Sequence, residues 1–80
     1  MFEVYVLRSQ SSCRYYIGFT SDVTQRLGQH NQGITESTKN RGPWEVVYRE
    51  SYASRSEAMR REKYLKSGSG REELKRLISA

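Results

Sequence analysis

The 80-residue sequence contains one cysteine, one proline and no long apolar run. Because Cys13 is alone, an intramolecular disulfide and a CxxC metal site are both excluded. It falls in a Ser/Gln-rich turn and lacks the surroundings that activate a thiol. No stretch approaches the roughly 20 apolar residues that a membrane-spanning helix needs. The chain opens on a strand-like pattern rather than a signal peptide, so we expect a cytoplasmic protein.

The sequence is long enough for one small domain. A chain of this length buries only about 60% of the surface that its unfolded form exposes, so large polar groups lie near the surface. The sequence shows no repeats, no linker and no low-complexity tail. We therefore expect residues 1–80 to form a single domain whose function is carried by one face.

Positive charge exceeds negative charge, with 14 lysines and arginines against nine acidic residues and a formal net charge of +5. Most of the basic residues are arginines, whose planar guanidinium binds phosphate through paired hydrogen bonds. Together with six tyrosines, this balance favours a nucleic acid as the partner. The alternative is ordinary solubilising charge, because a basic balance alone provides only non-specific attraction.

Strand and helix signals follow one another in the order β-β-α-β-α-α. We predict strands over residues 2–8, 14–20 and 44–52, helices over 22–31 and 54–67, and a third helix from residue 69. The first two strands form an antiparallel hairpin, and a polar loop precedes the third. This order predicts an α+β fold in which three helices flank a small three-stranded antiparallel sheet.

Two serine–glutamate pairs predict where the second and third helices begin. Ser54 with Glu57, and Ser69 with Glu72, have the S-x-x-E spacing of a capping box. The first helix is expected to begin at residues 21–22, because serine and aspartate are both favoured at the N-cap position.

Polar side chains fall on the apolar faces of two predicted helices. In the first helix, His30 lies beside the apolar pair Val23 and Leu27, and Arg26 lies at the edge of the same stripe. In the second helix, Glu62 lies near the middle of the apolar arc. A carboxylate there is costly unless it pairs with a cation, a metal or several donors.

These placements have structural alternatives. Arg26 and Glu62 could form an ion pair, and His30 could be a half-buried histidine with its hydrogen bonds satisfied. Tyr5 and Tyr16 are also ordinary strand residues.

The segment RYYIGF, residues 14–19, places Tyr16 and Gly18 on one face of a predicted strand. Glycine inside a strand often marks a position where a ligand or another backbone comes close. The alternative for Gly18 is a β-bulge.

Four features together resemble the GIY-YIG nuclease superfamily: VYV at 4–6, YIG at 16–18, Arg26-x-x-x-His30, and Glu62 within REKYLKSG. The resemblance covers essentially the whole chain and includes the order of elements. It is closest to the small single-domain group related to the nuclease subunit of nucleotide-excision repair. A YIG alone would be a weak signal, whereas the combination is specific.

The resemblance implies metal-dependent hydrolysis of phosphodiester bonds in DNA, with Mg²⁺ or Mn²⁺ as the cofactor. It implies that Glu62 binds the ion and that Arg26 contacts the scissile phosphate. It also implies that Tyr16 activates or orients the attacking water, that Tyr5 supports Tyr16, and that His30 transfers a proton or positions the nucleophile.

The chemistry suits these residue types. The transition state gathers negative charge, which a metal ion and a guanidinium stabilise. Mg²⁺ keeps several waters, so one carboxylate can suffice. A phenol with a reference pKa of about 10 is a poor base at neutral pH. Either its neighbours lower that pKa, or Tyr16 only orients water while His30 takes the proton. Gly18 is expected to leave room for the tyrosine and the phosphate.

The sequence departs from the family pattern in three places. Residues 3–5 read Glu-Val-Tyr rather than Gly-Ile-Tyr, and Phe19 follows YIG where repair-type members often have lysine. Many members place an asparagine after the glutamate helix, and none follows Glu62 here. The missing asparagine favours a rival interpretation, a non-catalytic nucleic-acid binding module. A third interpretation is an interaction domain in which Arg26 and Glu62 form only an ion pair.

We expect a structure-directed or weakly sequence-specific endonuclease, with any strong targeting supplied by a protein partner. The expected site is one concave face that gathers Tyr5, Tyr16, Arg26, His30 and Glu62 around Gly18. Lys39 and Arg41, in the polar loop, are expected to contact the nucleic-acid backbone.

Overall fold

The structure is a computed structural model that describes residues 1–10, 14–32 and 43–79. The elements are β1 (Phe2–Ser9), β2 (Tyr15–Thr20), α1 (Val23–Asn31), β3 (Trp44–Tyr52), α2 (Arg55–Lys66) and α3 (Gly68–Ser79). The strands form one antiparallel sheet in the order β2-β1-β3. The predicted α+β fold and its element order are therefore confirmed. No helix in the described part of the chain is long and apolar enough to cross a membrane.

The starts of α1 and α2 follow the predicted capping chemistry. The Asp22 carboxylate accepts a hydrogen bond from the Gln25 backbone N–H at 3.0 Å, so aspartate rather than Ser21 is the N-cap of α1. The Ser54 hydroxyl accepts from the Glu57 backbone N–H at 3.3 Å and caps α2. Each side chain satisfies one of the N–H groups that the first helical turn leaves without a partner.

The predicted start of α3 at Ser69 is wrong, because that residue already lies inside the helix. The cap is Ser67, whose hydroxyl accepts from the Gly70 backbone N–H at 3.2 Å and donates to the Tyr64 carbonyl at 2.6 Å. Ser67 therefore ends α2 and begins α3 without a connecting loop. Gly70 permits this tight junction, since a Cβ there would lie 1.8 Å from the Tyr64 carbonyl oxygen.

The sheet is covered on both faces, and its central strand β1 is buried throughout its middle. Alternation along β1 sends Val4 and Val6 toward α2 and α3, and sends Tyr5 and Leu7 toward α1. The cluster on the α2–α3 face contains Val4, Val6, Ile17, Ala58, Leu65 and Leu74. The cluster on the α1 face contains Tyr5, Leu7, Val23 and Trp44. The candidate site lies on the second face, next to the edge strand β2.

A charged network joins α2 and α3 to β3. The Arg61 guanidinium donates to both oxygens of Glu50, at 2.9 and 3.0 Å, and also pairs with Glu73. The hydroxyls of Tyr48 and Tyr52 donate to the same Glu50 carboxylate. Burial raises the pKa of Glu50, but these hydrogen bonds outweigh it and leave the pKa below its ordinary value. Arg61 is thus neutralised within the fold.

Candidate active site

Gly18 lies directly opposite Tyr5 in the β1–β2 pairing. A Cβ at Gly18 would lie 2.8 Å from the Tyr5 hydroxyl oxygen, 2.9 Å from Tyr5 Cζ and 3.0 Å from Tyr16 Cε1. The group that comes close to this glycine is therefore the Tyr5 ring, with Tyr16 beside it. The pairing of β1 with β2 is continuous through Gly18, so the β-bulge alternative is wrong.

His30 completes a cluster of three rings with Tyr5 and Tyr16. It is only 1% exposed, and its Nε2 lies 3.1 Å from the Tyr5 hydroxyl oxygen. The His30 and Tyr16 ring centroids are 4.6 Å apart, and those of Tyr5 and Tyr16 are 6.3 Å apart. The inward position that the helical pattern predicted for His30 is the one that α1 gives it.

Burial sets the protonation states inside this ring cluster. It raises the pKa of Tyr5 to about 12, although a hydrogen bond from Arg26 acts in the opposite direction. Burial, assisted by the charge of Arg26, lowers the pKa of His30 to about 4. At neutral pH Tyr5 therefore keeps its proton and His30 is neutral. Tyr5 is therefore not a base at neutral pH.

Arg26 and Glu62 approach the ring cluster from different helices. The Arg26 guanidinium donates to the Gln29 side-chain oxygen at 2.8 Å, and its charge acts on both Tyr5 and His30. The Glu62 side chain is 16% exposed and close enough to Tyr5 for its charge to raise the tyrosine pKa. Among the described residues no ion pair joins Arg26 to Glu62, so that structural alternative is wrong. Glu62 pairs instead with Lys66, at 3.2 Å.

The structure therefore gathers Tyr5, Gly18, Tyr16, Arg26 and His30 at one place, with Glu62 in electrostatic range. The predicted backbone contacts, Lys39 and Arg41, lie outside the described residues, as does Cys13.

Two charged contacts near the site were not predicted. Glu3, which stands where the family pattern has glycine, forms a two-pronged ion pair with Arg49 at 2.9 Å for each bond. Arg49 lies opposite Tyr5 in the β1–β3 pairing, a relation that no local pattern reveals. The Glu62–Lys66 pair does have a local signal, since residues four apart on a helix are neighbours.

Glu62 is the carboxylate of the candidate site that could ligate a hard divalent ion. No group of three or more His, Cys, Asp or Glu side chains that could hold a metal occurs within residues 1–10, 14–32 and 43–79. A single carboxylate is the arrangement in which Mg²⁺ completes its octahedron with water and substrate phosphate. The half-exposed Lys66 ammonium lies 3.2 Å from Glu62 Oε1 and would have to leave that oxygen for an ion to bind there.

The buried His30 predicts a pH-dependent stability. Its folded pKa of about 4 lies below the ordinary 6.5, so between these values the unfolded chain binds more protons than the folded chain. We expect the free energy of unfolding to fall by about 2–3 kcal/mol as the pH drops from 6.5 to 4, at 1.36 kcal/mol per pKa unit. Urea unfolding followed by fluorescence of the buried Trp44 measures this change.

The His30→Gln variant is the control for that measurement, because glutamine cannot take up a proton in this range. Its stability should fall much less than the parent's, because only carboxylates such as Glu50 still titrate toward pH 4. Equal slopes for the two proteins would show that His30 is not the titrating group.

The fold and the site residues together indicate the protein family to which this chain belongs. The GIY-YIG catalytic domain matches residues 1–75, and the chain belongs to the GIY-YIG nuclease family. Similar proteins include a UPF0213 protein of Staphylococcus haemolyticus, 40% identical over 73 residues, which are 90% of this chain and 88% of that one. A UPF0213 protein of Halobacterium salinarum is 43% identical over 67 residues, covering 82% and 86% of the two chains.

A solved structure agrees with the family assignment. The solution NMR structure of a UPF0213 protein from Bacillus halodurans matches with a TM-score of 0.57 and 34% identity, covering 96% of this chain and 85% of that chain. The resemblance found in the sequence is thereby confirmed. Family membership implies nucleic-acid binding and nuclease chemistry.

Proposed function

We propose that this chain is a divalent-metal-dependent endonuclease that hydrolyses phosphodiester bonds in DNA, in a structure-directed or weakly sequence-specific manner. Residues 1–80 act as one nuclease domain in this proposal. The observation that carries it is the convergence of Arg26, Tyr16 and the Tyr5–His30 hydrogen bond, with the Glu62 carboxylate in electrostatic range of Tyr5. A module that only binds nucleic acid has no need of a largely buried carboxylate in range of these rings.

Arg26 binds the scissile phosphate and stabilises the charge that grows on it, as a fixed guanidinium does in a partly dry site. Tyr16 orients the attacking water. Tyr5, held protonated by burial, donates a hydrogen bond within the site. Glu62 would hold the divalent ion, which when bound neutralises phosphate charge and makes a water molecule more acidic.

His30 positions the nucleophile through the Tyr5 hydroxyl, because the His30 ring is only 1% exposed and its Nε2 lies 3.1 Å from that hydroxyl oxygen. Burial is the main cause of the low pKa of His30, and the Arg26 charge adds to it, so the ring is neutral in this role.

The test is a cleavage assay on single-stranded, duplex, flap and branched DNA and on matched RNA, each with Mg²⁺, Mn²⁺ or EDTA. We expect metal-dependent cleavage of at least one DNA substrate and none in EDTA. Binding without cleavage on every substrate would support the rival module, which the missing asparagine favours.

Lys66 competes with the divalent ion for Glu62, because its ammonium lies 3.2 Å from the carboxylate oxygen. Lys66→Met should therefore lower the apparent Kd for Mn²⁺ by about two- to fivefold, the scale of one exposed ion pair. Titration calorimetry of the protein without nucleic acid measures this Kd. The matched control is Lys63→Met, an exposed lysine of the same helix. Equal effects of the two substitutions would contradict the competition.

A further inference from the structure

One side of α2 faces the edge strand β2. Arg55, Glu62 and Lys66 are spaced by seven and four residues, so they share this side of the helix. One contact fixes its direction, because the Arg55 guanidinium lies over the Phe19 ring of β2. We name Phe19, Arg55, Glu62 and Lys66 the β2–α2 surface.

Arg55 is held in place on this surface without being neutralised. Its guanidinium carbon lies over the Phe19 ring, 5.8 Å from the ring centre, within the range of a cation–π contact. The side chain is exposed, and no described residue offers it a carboxylate partner. Its N–H groups therefore remain available at the rim of the guanidinium plane.

Other arginines near the sheet are already paired. Arg61 is held by Glu50 and Glu73, and Arg49 is held by Glu3. Arg55 thus differs from them in presenting a fixed orientation together with an unbalanced charge. The planar guanidinium of arginine can donate two parallel hydrogen bonds to the oxygens of one phosphate.

The distance along α2 from Arg55 to Glu62, the proposed place of cleavage, corresponds to a few nucleotides. Seven residues of helix span about 10 Å along α2, from Arg55 to Glu62. Along one strand of a duplex the axial rise is about 3.4 Å per nucleotide, so this span covers about three nucleotides.

We propose that Arg55, which lies over the Phe19 ring, binds a backbone phosphate of the nucleic acid about three nucleotides from the bond held at Glu62. This inference rests on the proposed function, because it takes a nucleic acid as the substrate and Glu62 as the place of cleavage. It gives Phe19 a role as the platform that orients the arginine. The proposal also implies that the bound nucleic-acid strand runs along α2, beside β2.

The experiment measures binding of a labelled single-stranded oligonucleotide and its duplex to the full chain in EDTA, over a series of salt concentrations. Arg55→Ala should weaken binding about tenfold at low salt and reduce the salt slope by about one unit. Arg55→Lys keeps the charge and should restore most of the slope. Phe19→Leu should weaken binding in the parent but add little in the Arg55→Ala background.

The matched control is Arg60→Ala, which removes the same charge from an exposed residue on another side of α2. Melting temperatures of the Arg55 and Arg60 variants should stay near that of the parent, because both residues are exposed. Equal reductions of the salt slope by Arg55→Ala and Arg60→Ala would overturn the proposal. A parent protein that binds neither oligonucleotide measurably would also overturn it. Arg55-dependent binding by a parent that cleaves nothing in Mn²⁺ would support the phosphate contact while refuting the nuclease.

Discussion

Replacing Glu62 with glutamine is expected to abolish hydrolysis while leaving the fold intact. Glutamine keeps the shape of the side chain but lacks the charge that holds a divalent ion. Metal-assisted stabilisation of a phosphodiester transition state supplies several kcal/mol, so cleavage should fall by at least about a thousandfold. Binding of nucleic acid in EDTA should change little, because the basic residues remain.

The stability of this variant separates a catalytic from a structural Glu62. The carboxylate pairs only with the half-exposed Lys66 among the described residues, an interaction worth about 0.5 kcal/mol. Breaking a buried pair with Arg26 would instead cost about 3–5 kcal/mol. The structure therefore predicts a Glu62→Gln protein that melts within a few degrees of the parent.

Glu72→Gln is the matched control for the charge change, since Glu72 lies on the exposed side of α3 in a 3.8 Å pair with Lys75. It should be both stable and active. An early-melting Glu62→Gln protein would make Glu62 chiefly structural. A stable variant that cleaves as well as the parent would show that the proposed site is wrong.

The elements were predictable because their signals are local. Alternation marks the strands, and a serine three residues before a glutamate marks the start of α2. The start of α3 was not predictable in this way, because Ser67 and Ser69 both have capping chemistry. Their difference lies in the Tyr64 carbonyl and in the space for Gly70, which exist only once α2 and α3 pack.

The site was predictable on each helix but not between elements. Helical periodicity places His30 and Arg26 toward the sheet and places Glu62 on the inner side of α2. It does not identify the partner of Glu62, which is Lys66 on the same helix rather than Arg26.

Contacts across the sheet depend on register. The Glu3–Arg49 pair joins residues 46 positions apart and follows from the β1–β3 register. The approach of Tyr5 to Gly18 likewise follows from the β1–β2 register. Strand alternation alone shows that Tyr16 and Gly18 share a face, but it cannot identify the ring that covers them.

Gly18→Ala is expected to lower both stability and cleavage, although alanine is ordinarily the better residue inside a strand. The new methyl carbon would lie 2.8 Å from the Tyr5 hydroxyl oxygen and 2.9 Å from Cζ, so the ring must move. Overpacking of this kind costs about 1–3 kcal/mol. The displaced ring also disturbs the 3.1 Å contact with His30, and a misplacement of about 1 Å in a catalytic site can cost about 100-fold in rate.

Gly28→Ala provides the matched control. A Cβ at Gly28, in α1, would meet nothing within 4 Å, so the same substitution should stabilise the protein by about 0.5–1 kcal/mol. Urea unfolding and single-turnover cleavage of both variants test the argument together. Combining Gly18→Ala with Tyr5→Phe removes the closest oxygen, so stability should recover in part, whereas cleavage should not, because the hydroxyl that contacts His30 is gone. A Gly18→Ala protein as stable and active as Gly28→Ala would mean that the Tyr5 ring yields freely and that its position over Gly18 is unimportant for catalysis.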